Sequence, residues 1–209
     1  MSTPQPCCAW GFAPHSGWAA VVMLAGTAAE PQLLVRERIE LAAADLAGAR
    51  QPYHALEGVP LEEARRRLAQ LEASAVALAA QAVGALAARA RSAGVEPRAA
   101  GILDAGARRS AAPLEAVLAS HALIHAADGN HFRSALAQAC ATHGLAVTRV
   151  PQRTLLARAA AELGKSPAQL RATVSALGRG CGAPWGADQK SAALLAWLLL
   201  AQPADVSGR

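Results

Sequence analysis

Short apolar runs separated by turn residues fill the first forty positions. Residues 8–12 form one such run, residues 13–17 contain a proline and a glycine, and residues 18–24 form a second run. Two runs of strand length around such a turn are typical of a β-hairpin. Residues 32–41 then alternate, with an apolar face made by Leu33, Val35, Ile39 and Leu41. This alternation predicts a half-exposed antiparallel strand, so the chain is expected to begin with a three-stranded meander.

A helical period follows Pro60. Leucines at positions 61, 68, 71, 78 and 86 recur at helical spacing, which predicts a long helix ending near residue 91. Residues 99–103, between Pro97 and Gly106, form a short apolar run that predicts a buried fourth strand. Helices are expected from about residue 113 to 127 and from 130 to 143, with either a break or a kink at Asp128-Gly129, and residues 145–150 are the predicted fifth strand.

The C-terminal third carries two helix starts. Ser166-Pro167-Ala168-Gln169 combines an N-cap, a proline in the first turn and a capping-box glutamine, and Asp188 precedes a last apolar helix through Leu200. The predicted order is β-β-β-α-β-α-β-α. Because composition does not shift along the chain, residues 1–209 are interpreted as one domain with short flexible tails at about 1–6 and 202–209.

The first turn and the last segments resemble one protein family. Residues 11–19 read Gly-Phe-Ala-Pro-His-Ser-Gly-Trp-Ala, similar to the Gly-Ile-Asp-Pro-Gly turn and Gly-Trp/Tyr-Ala that open RuvC-like proteins, with Ala13 in the aspartate position. Residues 145–151 followed by Arg153 resemble the family's fifth strand. Residues 188–194 resemble its closing Asp-x-x-Asp-Ala-Leu helix, with Asp188 in the first acidic position and Ser191 in the second.

The chain is therefore similar to the RNase H-like superfamily, in its RuvC-like (Holliday-junction resolvase-like) branch. The resemblance implies an α/β fold, with a five-stranded mixed sheet and helices on both faces. It also implies acidic residues on the first strand, fourth strand and last helix that hold two divalent cations, Mg²⁺ or Mn²⁺, for phosphodiester hydrolysis. The first-strand position is Ala13, and the fourth-strand position falls near Leu103, with Asp104 next to it. Asp188 and Asp104 are the candidate metal ligands of a degenerate or rebuilt site.

Histidines supply the other candidate chemistry. His121 and His125 lie at i and i+4 of a predicted helix, with Asp128 almost one turn further. This spacing suits a transition metal or a general base, and the alternative is helix packing or a polar network in the core. His15 in the first turn is a candidate replacement for a lost acidic ligand, or a solvated turn residue. The candidate catalytic residues are thus Asp188, His15, His121, His125 and Asp128. Residues 53–57, Tyr-His-Ala-Leu-Glu, form a second polar group or a capped loop.

Charge favours an anionic partner. The net charge is +5, and basic residues concentrate between Arg149 and Lys190. This concentration is consistent with a surface that faces phosphate groups and also with an ordinary solvated face. The candidate nucleic-acid contacts are Arg149, Arg153, Arg158 and Lys190. Phosphate-loop, dinucleotide-binding and serine-hydrolase motifs do not occur.

Three functions remain open at this stage. The first is nucleic-acid binding, and the second is metal-dependent nuclease activity. The third is the role of an inactive scaffold that binds another protein or forms a homodimer through alanine-rich helices. The sequence shows no secretion signal and no apolar run of membrane-spanning length, so a cytoplasmic protein without a membrane partner is expected.

Overall fold

The computed structural model describes residues 6–105 and 112–202. The predicted tails lie almost wholly outside these ranges, as does Gly106. Five strands form one sheet: β1 (Cys7–His15), β2 (Trp18–Gly26), β3 (Pro31–Glu40), β4 (Glu96–Asp104) and β5 (Ala146–Pro151). The strand order is β3-β2-β1-β4-β5, with β1, β2 and β3 antiparallel and β1, β4 and β5 parallel. The predicted meander and mixed five-stranded sheet are confirmed.

The first hairpin is tighter than predicted. Ala13, Pro14 and His15 belong to β1 and pair with the first residues of β2, so only Ser16 and Gly17 remain in the turn. Gly17 has a φ of 85°, a backbone conformation that glycine adopts without steric cost. Pro14 is tolerated in this central strand because pairing with β4 ends at Phe12.

Strand β3 departs from simple alternation. Met23 pairs with Val35 and Leu24 pairs with Leu33, which leaves Leu34 as an extra, partly exposed residue. A bulge of this kind reverses the facing of all residues beyond it. Leu33 and Val35 therefore pack against opposite sides of the sheet, and the prediction that they share one face is wrong. Pro97, expected to precede the fourth strand, lies within β4.

Among the described residues, six helices flank the sheet: α1 (Leu61–Ser92), α2 (Leu114–Leu118), α3 (His121–Thr142), α4 (Gln152–Leu163), α5 (Pro167–Leu177) and α6 (Ala187–Leu200). A short 3₁₀ segment lies at His54–Leu56. The predicted break at Asp128-Gly129 is wrong, because the helix break lies at residues 119–120 and α3 continues through Gly129. The predicted order also lacks α4, whose only buried residues, Leu155 and Ala159, give a weak periodic signal. The capping box at Ser166 is confirmed.

Different helices pack on the two faces of the sheet. One face packs Trp10 and Phe12 against α1 and α3. The other packs against α6, which α4 and α5 cover in turn. Every residue of α6 from Ala192 to Leu200 is buried, as expected for a helix between two layers.

Two glycines bring α6 unusually close to the sheet. Gly11 of β1 and Gly101 of β4 are paired neighbours. A Cβ atom at Gly11 would lie 1.9 Å from the Ala192 carbonyl oxygen, and one at Gly101 would lie 2.5 Å from Cγ of Leu195. Only glycine permits this approach at these positions.

Helix α1 has the length and composition of a membrane-crossing helix, which the sequence analysis did not anticipate. Its most apolar 18-residue window has a mean hydropathy of 1.5. In the fold, however, α1 presents a stripe at helical spacing to the protein core, including Leu71, Ala75, Ala79, Val83 and Leu86. Core helices of soluble proteins share these features, so the composition is weak evidence for a membrane.

The close approach of Gly11 to Ala192 predicts a specific loss of stability. Gly11→Ala should lower the free energy of unfolding by about 3 kcal/mol or more, because the added methyl group meets the backbone of α6, which cannot move aside independently. Denaturant unfolding measures the change. Gly84→Ala on α1 is the matched control, because its Cβ would make only ordinary contacts with His143 and alanine favours helix by about 1 kcal/mol. Equal stability of the two variants would contradict the close packing of α6.

Candidate functional site

The carboxyl ends of the parallel strands β1, β4 and β5 lie at one edge of the sheet, and the N-terminus of α6 reaches the same place. His15, the last residue of β1, meets Asp188 in the first turn of α6, with 3.0 Å between His15 Nε2 and Asp188 Oδ1. Their side chains are 42% and 34% exposed. Two residues that the sequence analysis singled out separately are therefore in direct contact and open to solvent.

Aromatic stacking holds His15 in place. Its imidazole ring lies parallel to the indole of Trp18, with ring centroids 4.3 Å apart. The guanidinium of Arg38 covers Trp18 at 4.1 Å and is fixed by Glu40, whose Oε1 lies 2.6 Å from Arg38 Nε. The histidine is thus oriented toward Asp188 by a stacked, cationic platform.

The positions expected to carry carboxylates are apolar and closed. Ala13 and Leu103 are both buried and belong to one apolar cluster with Leu194 of α6. Because side chains alternate along a strand, His15 lies two residues after Ala13 on the same face of the sheet, where it contacts α6. Asp104 faces the opposite side from Leu103, as alternation predicts.

Arg133 of α3 covers the same edge from the other face, and the sequence analysis did not single it out. Its Nε donates to the Leu103 carbonyl oxygen at 2.9 Å, its Nη2 donates to Pro14, and its Nη1 donates to Gly129. Burial lowers the pKa of Arg133, and the nearby carboxylate of Asp104 opposes that shift. The carboxylate of Asp104 therefore interacts electrostatically with the guanidinium of Arg133.

These residues do not fit two divalent cations. Such ions require several oxygen ligands converging on each metal. Here Ala13 and Leu103 offer no side-chain oxygen, Asp104 lies near the partly buried guanidinium of Arg133, and Asp188 contacts His15. The carbonyl oxygens of the two strand ends accept hydrogen bonds from Arg133.

A second polar centre is formed by three histidines. His121 and His125 on α3 lie next to His54 of the 3₁₀ segment, and potential ligand atoms of all three lie within 4.8 Å of one another. His54 Nδ1 lies 2.5 Å from Asp128 Oδ2, and Asp128 Oδ1 accepts the Tyr53 backbone N–H at 2.7 Å. The structure thus joins the 53–57 segment to the predicted helix cluster. No local pattern indicates that these two segments meet, because they lie far apart along the chain.

The candidate nucleic-acid contacts differ in their surroundings. Arg149 is partly buried and donates to Asn130 and Ser134 of α3, so it links β5 to that helix. Arg158 pairs with Glu162 on the same turn of α4. Arg153 and Lys190 are exposed. Lys190 and Arg171 line one groove of about 360 Å³ between α4, α5 and α6, together with Ser191.

Comparison with known proteins supports the fold. No protein-family model matches the chain, and no curated protein matches it by sequence. Among solved structures, the chain is similar to Thermus thermophilus RuvC in complex with a Holliday junction substrate, at 14% identity and a TM-score of 0.53, covering 92% of this chain and 91% of that one. It is also similar to Thermus thermophilus RuvC alone, at 15% identity and a TM-score of 0.52, covering 91% of this chain and 92% of that one. The fold is RNase H-like, as in RuvC.

The buried histidine His131, one turn beyond Asp128, predicts a pH dependence of stability. Burial lowers its pKa in the folded state, and its Nε2 is buried without a hydrogen-bond partner among the described residues. The unfolded chain, with an imidazole pKa of about 6.5, therefore takes up a proton first as the pH falls. Stability should be fully present above about pH 6.5 and should decrease as the pH falls toward the lower folded-state pKa.

Denaturant unfolding of the wild type and of His131→Gln at a series of pH values from about 8 to about 5 measures this contribution. We expect a smaller loss of stability on acidification in the variant, because glutamine does not titrate. His143→Gln, at an exposed position after α3, is the matched control and should keep the wild-type pH dependence. Identical profiles for all three proteins would contradict the role given to His131.

Proposed function

We propose that this chain is a RuvC-like nucleic-acid-binding protein with a degenerate carboxylate site at the carboxyl edge of its sheet. The observation that carries the proposal is the RuvC-like fold over nearly the whole chain, combined with a basic groove beside α6. One of the similar RuvC structures holds a Holliday junction, so branched DNA is the first substrate to test. The cytoplasmic location expected from the sequence stays a prediction.

The groove between α4, α5 and α6 supports a phosphate-binding role. Arg171 and Lys190 lie on different helices and line the same groove, which Ser191 and several leucines also line. Arg153, at the start of α4, is an exposed cation next in sequence to Gln152, which also lines the groove. Cations spaced across a groove suit the repeated charges of a nucleic-acid backbone.

The proposed activity is binding without two-metal hydrolysis. Hydrolysis by this route needs two cations held by converging carboxylates. Two of the positions expected to carry these ligands are the apolar residues Ala13 and Leu103, and Arg133 binds the strand-end carbonyl oxygens from the other face. His15 and Asp188 are retained at the exposed rim of this edge. We propose that they position nucleic acid through hydrogen bonding, with His15 donating to a phosphate oxygen.

Binding should depend steeply on salt. Filter binding of a four-way DNA junction to the wild-type protein should weaken linearly in a plot of log affinity against log salt concentration, because phosphate contacts release counterions. In Arg171→Ala/Lys190→Ala, the slope should fall by about 2, because each substitution removes one cation that neutralises a phosphate. No binding of junction, single-stranded DNA or RNA at low salt would refute the proposal.

The control removes the same charge elsewhere. Arg65→Ala/Arg66→Ala on α1 deletes two exposed arginines, each paired with a glutamate of the same helix. Its salt slope should equal that of the wild type. Equal decreases of the slope in both double variants would show that net charge, and no particular surface, determines binding.

A cleavage assay tests the absence of two-metal catalysis. Junction DNA incubated with the protein and Mg²⁺ or Mn²⁺ should remain intact. Metal-dependent cleavage that disappears in Asp188→Asn, while DNA binding persists, would contradict the proposal and would establish Asp188 as a catalytic residue.

A further inference from the structure

Three imidazoles converge outside the sheet edge described above. His121 and His125 lie in the first two turns of α3, and His54 approaches them from the 3₁₀ segment after β3. The ring centroids are 4.4 Å apart for His121 and His125, 4.5 Å for His54 and His125, and 5.4 Å for His54 and His121. Three aromatic bases at mutual contact form one compact group.

The nitrogen positions are close to those of a metal centre. His121 Nε2 and His125 Nε2 are 3.0 Å apart. Tetrahedral zinc with Zn–N bonds of about 2.0–2.1 Å places its ligand nitrogens about 3.3–3.4 Å apart. The i and i+4 pair therefore needs a separation larger by only a few tenths of an ångström, which small rotations of exposed rings supply.

Asp128 prepares the third imidazole for this role. Its carboxylate is 7% exposed and accepts hydrogen bonds from the Tyr53 backbone N–H and from His54 Nδ1. With Nδ1 as the donor, neutral His54 carries its lone pair on Nε2. A carboxylate behind a histidine in this way fixes the tautomer and the ring orientation of a metal ligand and increases its basicity.

The outer side of the three-histidine group is accessible to solvent. His121 and His125 are exposed, and His54 is partly buried. The Glu57 carboxylate lies 3.8 Å from His121 Nδ1, at the ring nitrogen that does not face His125. A metal held by three nitrogens from one side would keep a coordination position accessible to water.

We propose that His54, His121 and His125 form a Zn²⁺ site, with Asp128 as the outer partner of His54 and water in the fourth position. Three neutral imidazoles favour borderline ions such as Zn²⁺ and Co²⁺ over Mg²⁺, which prefers oxygen. The site is distinct from the His15–Asp188 pair, since no hydrogen bond or ion pair within residues 6–105 and 112–202 joins the two groups. The proposal does not depend on nucleic-acid binding.

Metal titration of tag-free full-length protein tests the site. Co²⁺ added to the wild type should give visible d–d bands with the intensity typical of four-coordinate cobalt, saturating at one ion per chain, and Zn²⁺ should displace it. His121→Ala/His125→Ala should lose these bands, because a single imidazole remains. His143→Ala, which removes an exposed histidine from the other end of α3, should keep them.

A conservative change of Asp128 tests the arrangement in more detail. In Asp128→Asn, the side-chain oxygen still accepts the Tyr53 N–H, but the amide NH₂ faces His54 Nδ1. His54 must then carry its proton on Nε2, away from Asp128, and loses that nitrogen as a ligand. We expect Zn²⁺ affinity, measured by competition with a chelating dye, to fall about 10- to 100-fold, with the folded state verified by circular dichroism.

Each measurement has an outcome that overturns the proposal. Cobalt bands that are absent, that are equally strong in His121→Ala/His125→Ala, or that indicate six-coordinate cobalt would refute a three-histidine site. Unchanged Zn²⁺ affinity in a folded Asp128→Asn protein would refute the role of Asp128. The cobalt outcomes would leave the histidines as a hydrogen-bonded packing cluster, whereas the Asp128 outcome would leave the zinc site without its outer partner.

Discussion

The close packing of α6 on the two central strands determines the rest of the architecture. It depends on paired glycines, Gly11 and Gly101, which allow the helix backbone to lie almost directly on the sheet. This position buries residues 192–200 of α6 without interruption and brings its first turn to the carboxyl end of β1. The contact of His15 with Asp188 follows from this geometry, because a more distant helix would leave the two side chains apart.

The same packing closes the position where a metal site would be expected. Ala13 and Leu103 fill the space under α6 with apolar side chains, and Arg133 caps the strand ends from the α3 side. The partly buried guanidinium of Arg133 repels a divalent cation and donates to carbonyl oxygens that would otherwise be available to one. The candidate functional side chains therefore lie outside this closed position. His15 and Asp188 lie on the α6 side, and the three histidines lie toward the N-terminus of α3. Arg133 lies about two turns after His125, or about 12 Å along the helix.

Much of the fold could be predicted from the sequence, because strands and long helices leave periodic patterns. The predicted meander, the later strands, α1 and the capped helix at Ser166 are all present. The errors have physical causes. The bulge at Leu34 reverses a face without altering the local composition, α4 buries too few residues to show a clear period, and Gly129 is accommodated inside α3 because packing overrides its low helix propensity.

The candidate site was less predictable, because its contacts join distant segments. Asp188, His15, His121 and His125 were identifiable as polar residues in informative positions. Asp128 and the polar segment 53–57 were identifiable too, but the contact between them was not, because His54 and Asp128 are 74 residues apart. Arg133 was missed because it resembles any helix-surface arginine in the sequence. Only the three-dimensional arrangement shows that Asp104 lies near a guanidinium and that two histidine groups exist.

With Ala13, Leu103 and Arg133 at the carboxyl edge of the sheet, we expect this edge to hold no divalent cations. A crystal soaked in Mn²⁺, with the ion located by its anomalous scattering, tests this most directly. We predict no manganese within bonding distance of Asp188 or Asp104, with His15 still in contact with Asp188 and Arg133 still bound to the strand ends. Ordered manganese coordinated by Asp188, with His15 or Arg133 displaced, would contradict the claim.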